Sequence, residues 1–158
     1  LPASVRRMSI DARLVQAAFD PAAELACFAT SGAGAVASFT GLARATSKAG
    51  STVTGLFLDH HPRLTQTSLD EAARAVTTRF DLSAVRVVHR CGQIAPGEAI
   101  VFVAAAAAHR RAAIEAVDYL MDRLKTDAVF WKREDAVDGS RWIEPTEGDR
   151  ADRARWED

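Results

Sequence analysis

The segment AIVFVAAAAAHRRAAIEAVDYLMDRLKTDAVFWKRE, residues 99–134, determines the fold that we expect for this chain. Its first ten residues, 99–108, are all apolar, which is typical of a strand buried inside a sheet. Alanine-rich sequence also suits a helix, but the Ile-Val-Phe-Val sequence at 100–103 favours a strand. Residues 110–125 follow as a predicted helix that buries Ile114, Val117, Met121 and Leu124. Residues 129–132 predict a short strand. The segment therefore predicts a strand–helix–strand unit.

The rest of the chain also alternates between predicted helices and strands. Asp20-Pro21 is a helix start, with Asp as the cap and Pro in the first turn. The sequence contains neither a GxGxxG pattern nor a P-loop. The alternation predicts one α/β or α+β domain with a mixed sheet, built from helices at 21–30 and 66–80 and strands at 34–40, 52–60, 85–91 and 141–144.

Composition excludes several classes of function. Twenty basic and 21 acidic residues give a net charge of -1, whereas a general nucleic-acid binder carries a basic excess. No apolar stretch approaches the roughly 20 residues that cross a bilayer, so we expect a cytoplasmic protein with no membrane partner. Cys27 and Cys91 lack metal-ligand spacing, and the pair His60-His61 lacks a third ligand nearby. We therefore expect no metal site.

The domain is expected to span residues 8–148. Residues 1–7 precede it as an expected disordered start. Residues 149–158 form a strongly charged C-terminal tail that contains Trp156. Such ends are often frayed, although Trp156 could dock in a subunit interface.

Basic residues cluster around the predicted helix at 110–125. His109, Arg110 and Arg111 lie at its start, where the helix dipole disfavours cations unless an anion is nearby. Lys125 ends the helix, and a turn could bring it close to Lys132. Two adjacent lysines lower each other's pKa and stabilise developing negative charge. The pattern indicates a site for a phosphate or carboxylate substrate, although a solvated face paired to Asp118, Asp122 and Glu134 would show the same spacing.

Several motifs, in order, resemble those of the large catalytic subunit of molybdopterin synthase, the MoaE family. The similarity extends from about residue 8 to 144, and the spacing of the motifs is approximately kept. They are GAVASFTGLAR (34–44), LFLDHHP (56–62), VVHRCGQIAPGE (87–98), AHRR (108–111), LMDRLKTDAVFWKRE (120–134) and RWIE (141–144).

The resemblance implies an α+β fold, α/β-hammerhead-like, with a mixed, largely antiparallel sheet flanked by helices. It also implies a sulfurtransferase that converts cyclic pyranopterin monophosphate into the dithiolene molybdopterin. The sulfur comes from the thiocarboxylated Gly-Gly tail of a small ubiquitin-like subunit of the MoaD type. The expected assembly is a homodimer within a heterotetramer, and no cofactor is expected.

The resemblance also assigns roles to individual residues. Lys125 matches the lysine central to sulfur transfer, and Lys132 matches a supporting one. Phe39, Met121 and Phe130 are apolar residues near the expected pocket that could line a channel for the tail, and each could equally be an ordinary core residue. The substrate-binding set that matches comprises Leu42, Ala43, Arg44, His109, Arg110, Lys125, Lys132, Arg133 and Glu134.

Two other functions stay open on the sequence. A non-catalytic scaffold would bind the small subunit without turnover, but the retention of the complete basic set argues against it. An enzyme acting on a phosphorylated metabolite without a protein partner would be active as the isolated chain.

Overall fold

The computed structural model describes residues 8–28, 30 and 32–157, so the expectation for 1–7 falls outside the described residues. Eight strands and four helices form in these residues. The strands are β1 Ser9–Val15, β2 Ala35–Leu42, β3 Val53–His60, β4 Ala84–Arg90, β5 Gly92–Ile94, β6 Ala99–Ala107, β7 Phe130–Ala136 and β8 Gly139–Ile143. The helices are α1 Pro21–Ala26, α2 Leu64–Arg79, α3 Arg110–Thr126 and α4 Glu147–Ala154.

The strands form two four-stranded sheets rather than the single sheet that the sequence predicts. Their orders are β1-β4-β6-β2 and β5-β3-β7-β8. Only the β1–β4 pair is parallel among the described pairings. The α+β class and the mixed, largely antiparallel pairing are confirmed.

The main core lies between the first sheet and helices α2 and α3. The central strand β6 pairs with β4 on one side and β2 on the other, and its alanines 104–107 are fully buried. Small side chains on β6 and on α3, at Ala113 and Ala116, let the helix approach the sheet closely. The sequence places Ile114 on the buried face of α3, but it is 58% exposed, and this prediction is wrong.

Helix α1 is shorter than predicted because the chain turns into a second core cluster directly after it. Asp20 caps the helix by accepting a hydrogen bond from Ala22 N at 2.9 Å. The helix ends at Ala26 instead of residue 30, and Phe28 is buried against Val88 and Phe102.

The C-terminal segment differs from the charged, frayed tail that the sequence suggests. Residues 147–154 form helix α4, and Thr146 and Asp149 make a reciprocal capping box at its start. Trp156 packs edge-on against Phe80 and Tyr119 of the same chain, with ring centroids at 6.1 and 5.4 Å. The α4 segment is thereby anchored to α2 and α3.

Candidate active site

Lys125 and Lys132 lie on either side of the turn from α3 into β7. Lys125 is exposed in the last turn of α3, and Lys132 is half-buried near the start of β7. Burial lowers the pKa of Lys132, and the positive charge of Lys125 lowers it further. Neither lysine forms an ion pair with a described residue. The turn thus places two cations within each other's electrostatic field.

Arg44 joins this pair from the loop that follows β2. Its charge is a further cause of the lowered pKa of Lys132. The neighbouring Ala43 is buried, its N–H donates to Glu98 O at 2.9 Å, and its carbonyl accepts from Gly97 N at 2.8 Å. These two bonds hold the backbone beside Arg44, while Leu42 points outward with 57% exposure.

Two carboxylates lie beside the cations. Glu134 and Asp149 both raise the pKa of Lys132, against the larger effects of burial and Lys125. Burial raises the pKa of Asp149, but hydrogen bonds from Thr146 and the charges of Lys125 and Lys48 lower it overall. Asp149 of α4 therefore places a negative charge beside the lysines.

The acidic residues that would make α3 an ordinary solvated face are engaged elsewhere. Arg155 binds both Asp118 and Asp122 at 2.8 Å. The indole N–H of Trp156 donates to Asp122 at 2.6 Å. Glu134 pairs with Arg141 at 3.3 Å.

Arg133 lies on the opposite face of β7 from Lys132, as strand alternation requires. Its guanidinium stacks over Phe57 at 4.9 Å and Trp142 at 5.8 Å, and it donates to Asp135 at 2.9 Å. The structure does not bring Arg133 to the lysines of its own chain.

His109 and Arg110 lie at the far end of α3 from Lys125. Residues 109 and 125 are separated by about 24 Å along the helix at about 1.5 Å per residue. Both side chains are exposed, and His109 does not cap the helix. One copy of the chain therefore does not bring this pair into the lysine site.

An open cleft of about 420 Å³ adjoins Lys132. It lies between β7 and the segment that leads from β8 into α4. Its lining residues are Phe130, Trp131, Lys132, Trp142, Ile143, Glu144, Pro145 and Arg150. Of the three apolar channel candidates, Phe130 lines this cleft, and Phe39 is exposed on β2. Met121 packs against the main core.

His89 lies beside the candidate site, although the motif analysis does not single it out. It is buried at the end of β4, and its ring stacks on Phe130 with centroids 4.2 Å apart. Burial lowers the pKa of His89 to about 4, with additional contributions from Lys125 and Lys132. Its position inside the quoted motif at 87–98 is the sequence signal that could have pointed to it.

The described residues contain no group of His, Cys, Asp and Glu side chains that could hold a metal ion. His61 accepts hydrogen bonds from Arg63 N and Leu64 N at the start of α2, which accounts for one of the two adjacent histidines. In the same part of the chain, no helix is long and apolar enough to cross a membrane.

Comparison with known proteins identifies the family. Residues 14–127 match the model of the MoaE protein family. This chain belongs to the MoaE family. The molybdopterin synthase catalytic subunit of Caulobacter vibrioides is 56% identical over 124 residues, covering 78% of this chain and 81% of the relative. That of Pseudomonas aeruginosa is 44% identical over 148 residues, covering 92% and 98%.

A solved structure of the MoaE protein from Burkholderia ambifaria has the same fold, with a TM-score of 0.77 at 35% identity. The comparison covers 95% of this chain and 98% of the other. The resemblance drawn from the sequence motifs, and with it the prediction of a catalytic subunit of molybdopterin synthase, is confirmed. The named relatives do not test the individual site residues, which stay predictions.

Proposed function

We propose that this MoaE-family chain transfers sulfur from the thiocarboxylated C-terminus of a small ubiquitin-like carrier subunit to cyclic pyranopterin monophosphate. The site is the group formed by Arg44, Lys125 and Lys132. The observation that carries the proposal is a half-buried lysine beside a second lysine and an arginine, at the edge of an open cleft. We further infer that the protein works in the cytoplasm, where its unpaired Cys27 and Cys91 would stay reduced.

The charges of the site suit both reactants. A cyclic phosphate and a thiocarboxylate are anions, and the three cations Arg44, Lys125 and Lys132 outnumber the two carboxylates, Glu134 and Asp149, that lie beside them. Lys125 polarises the thiocarboxyl group and the pterin side-chain carbon during attack by sulfur. Lys132 and Arg110 stabilise the phosphate and the charge released as its ring opens. Preorganised cations of this kind accelerate reactions by stabilising charge that develops in the transition state.

We infer that a second copy of the chain supplies His109 and Arg110. Strand β2 is an edge strand with exposed apolar side chains at Val36, Phe39 and Leu42, which is a surface suited to pairing with another chain. The start of β2 lies beside the end of β6, since Ala35 pairs with Ala107. Antiparallel pairing of β2 with its symmetry mate would therefore bring the partner subunit's His109 toward Arg44.

A reconstitution tests the proposed function. The chain is mixed with the cognate carrier bearing a C-terminal thiocarboxylate and with cyclic pyranopterin monophosphate, and molybdopterin is detected as its fluorescent oxidation product. We expect product with the wild-type chain. Carrier binding without product would favour the scaffold function. Turnover of a phosphorylated small molecule by the isolated chain, without the carrier, would favour the phosphate-metabolite enzyme. If the chain neither binds the carrier nor forms product, the small carrier subunit is not its partner.

Lys125→Ala locates the site within that assay. The side chain is exposed at the helix end, so we expect unchanged folding but a loss of at least about 100-fold in product formation. Arg74→Ala, which removes an exposed cation from α2, is the matched control and should retain activity. Wild-type turnover in Lys125→Ala would remove Lys125 from the mechanism.

A further inference from the structure

His89 lies directly beneath the wall of the lysine site. It is the sixth residue of β4, and its ring is nearly parallel to that of Phe130, at an angle of 22°. Phe130 lines the cleft and shares a face of β7 with Lys132. The imidazole therefore supports both the cleft wall and the strand position from which Lys132 projects.

The hydrogen bond of the ring determines its tautomer. Nδ1 lies 2.8 Å from the carbonyl oxygen of Arg90. A carbonyl can only accept, so Nδ1 carries the hydrogen and donates it. Burial lowers the pKa of His89 to about 4, so the ring is neutral at physiological pH and Nε2 holds a lone pair.

The surroundings of Nε2 leave its lone pair available. Nε2 accepts no hydrogen bond from the described residues. Nor is it one of the polar atoms among those residues that are completely buried without a partner. The charged groups close enough to lower the pKa of the ring are Lys125 from α3 and Lys132 from β7. The guanidinium of Arg90 is turned to the carbonyls of Gln16 and Gln93 and to Glu98.

We propose that His89 is a positioning residue for sulfur transfer. Its neutral imidazole, stacked beneath Phe130, keeps an uncharged surface with an open acceptor, Nε2, next to the Lys125 and Lys132 ammonium groups. A role for His89 in catalysis depends on the proposed function of the lysine group. A protonated ring would add a fourth positive charge to those of Arg44, Lys125 and Lys132 and repel them, so the neutral form is the one that serves the site.

The tautomer is measured on the wild-type protein by long-range ¹H–¹⁵N NMR of the imidazole. We expect a protonated Nδ1 and an unprotonated Nε2 from about pH 6 to about pH 8. A ring protonated on both nitrogens, or on Nε2 alone, would overturn the proposal. This measurement needs no turnover, so it stands even if the reconstitution yields no product and the proposed function fails.

Two variants separate positioning from simple packing. His89→Phe keeps a stacked ring but loses the donor and the acceptor, whereas His89→Gln keeps an amide oxygen that can accept. The chain has three lysines, Lys48, Lys125 and Lys132, so ¹³C NMR of the reductively methylated protein can follow each one. We expect His89→Phe to lower the pKa of Lys132 further and kcat by about 10- to 100-fold with little change in KM. His89→Gln should restore most of both.

Val88→Ala is the control for a purely structural effect. Val88 is the buried neighbour of His89 on the opposite face of β4. Its truncation should lower stability while leaving the pKa of Lys132 and kcat unchanged. If His89→Phe behaves like Val88→Ala in these readouts, His89 is only a core residue. If His89→Phe does not fold, His89→Gln and the wild-type tautomer decide the question.

Discussion

At the scale of the residue, Lys132 is a half-buried charge that lowers stability, and we propose that it does so in the service of the chemistry. Because burial and Lys125 lower its pKa in the folded chain, the unfolded chain holds this proton more tightly. Stability therefore rises with pH between the lowered pKa and the ordinary value of about 10.4, where the unfolded state binds more protons. Below the lowered pKa the folded chain bears the full penalty of a half-buried ammonium.

Replacing Lys132 with methionine tests whether this residue lowers stability while supporting product formation. The methionine side chain has a similar volume but no charge, so we expect an equal or greater free energy of unfolding at neutral pH. The rise in stability on the alkaline side should become shallower than in the wild type. Product formation should fall by about 100- to 1,000-fold. Urea unfolding across the pH range and the reconstitution assay measure both effects; lower stability at neutral pH would contradict the assigned pKa shift.

At the scale of elements, apolar periodicity made the central elements predictable. The bounds predicted for β2, β3, β4, β6, α2 and α3 lie within two residues of those observed. The β1 strand, SIDARLV, was missed because charges interrupt its pattern. Asp11 and Arg13 are satisfied by Arg86 and Glu24, partners that are distant in sequence. Long-range ion pairs of this kind cannot be read from local spacing.

The same limit explains α4. Its eight residues are mostly charged, so nothing in the sequence indicates an apolar face. Its apolar anchor is Trp156, which lies beyond the helix and contacts Asp122, Phe80 and Tyr119. Arg153 and Arg155 add ion pairs to acidic residues at 118, 122 and 127. The lysine pair was predictable because a short turn joins its two elements. His89 was not, since its role depends on a stack with a residue of the other sheet.

Removing the anchor tests the contribution of α4 to the site. Trp156→Ala should lower the free energy of unfolding by about 2 kcal/mol, less than for a fully buried tryptophan because the ring is partly exposed. We expect α4 to loosen and Asp149 to leave the lysines, so the pKa of Lys132 should fall further. Trp142→Ala is the matched control, because that ring is 58% exposed and its loss should cost less than about 1 kcal/mol. Equal losses in the two variants would contradict the anchoring role.

At the scale of the whole molecule, the cations that the resemblance assigns to one substrate lie near the two ends of α3. The sequence could not separate them, because the similarity assigns His109, Arg110, Lys125 and Lys132 to one site without regard to chain. The length of the helix makes this impossible within one copy. The proposed β2–β2 pairing would resolve the difficulty by joining opposite ends of two copies.

Mixing variants tests whether the site is shared. Lys125→Ala and Arg110→Ala should each be inactive alone. In a mixed dimer, one site would combine the intact Lys125 of one copy with the intact Arg110 of the other. Random assembly of equal amounts should therefore restore about a quarter of the wild-type sites. If each site lay within a single chain, mixing the two variants would restore no active sites.

The double variant Arg110→Ala/Lys125→Ala supplies the reciprocal control. Mixed equally with wild type, it forms dimers in which each shared site lacks one of its two cations. Only wild-type homodimers would then be active, so activity should again fall to about a quarter of that of an equal total amount of wild-type chain. A site within one chain predicts about half instead. Compared with sites contained in single chains, a shared site thus gives more activity in the first mixture and less activity in the second. If both mixtures behave as a shared site requires, Arg110 acts with the lysines of the other copy.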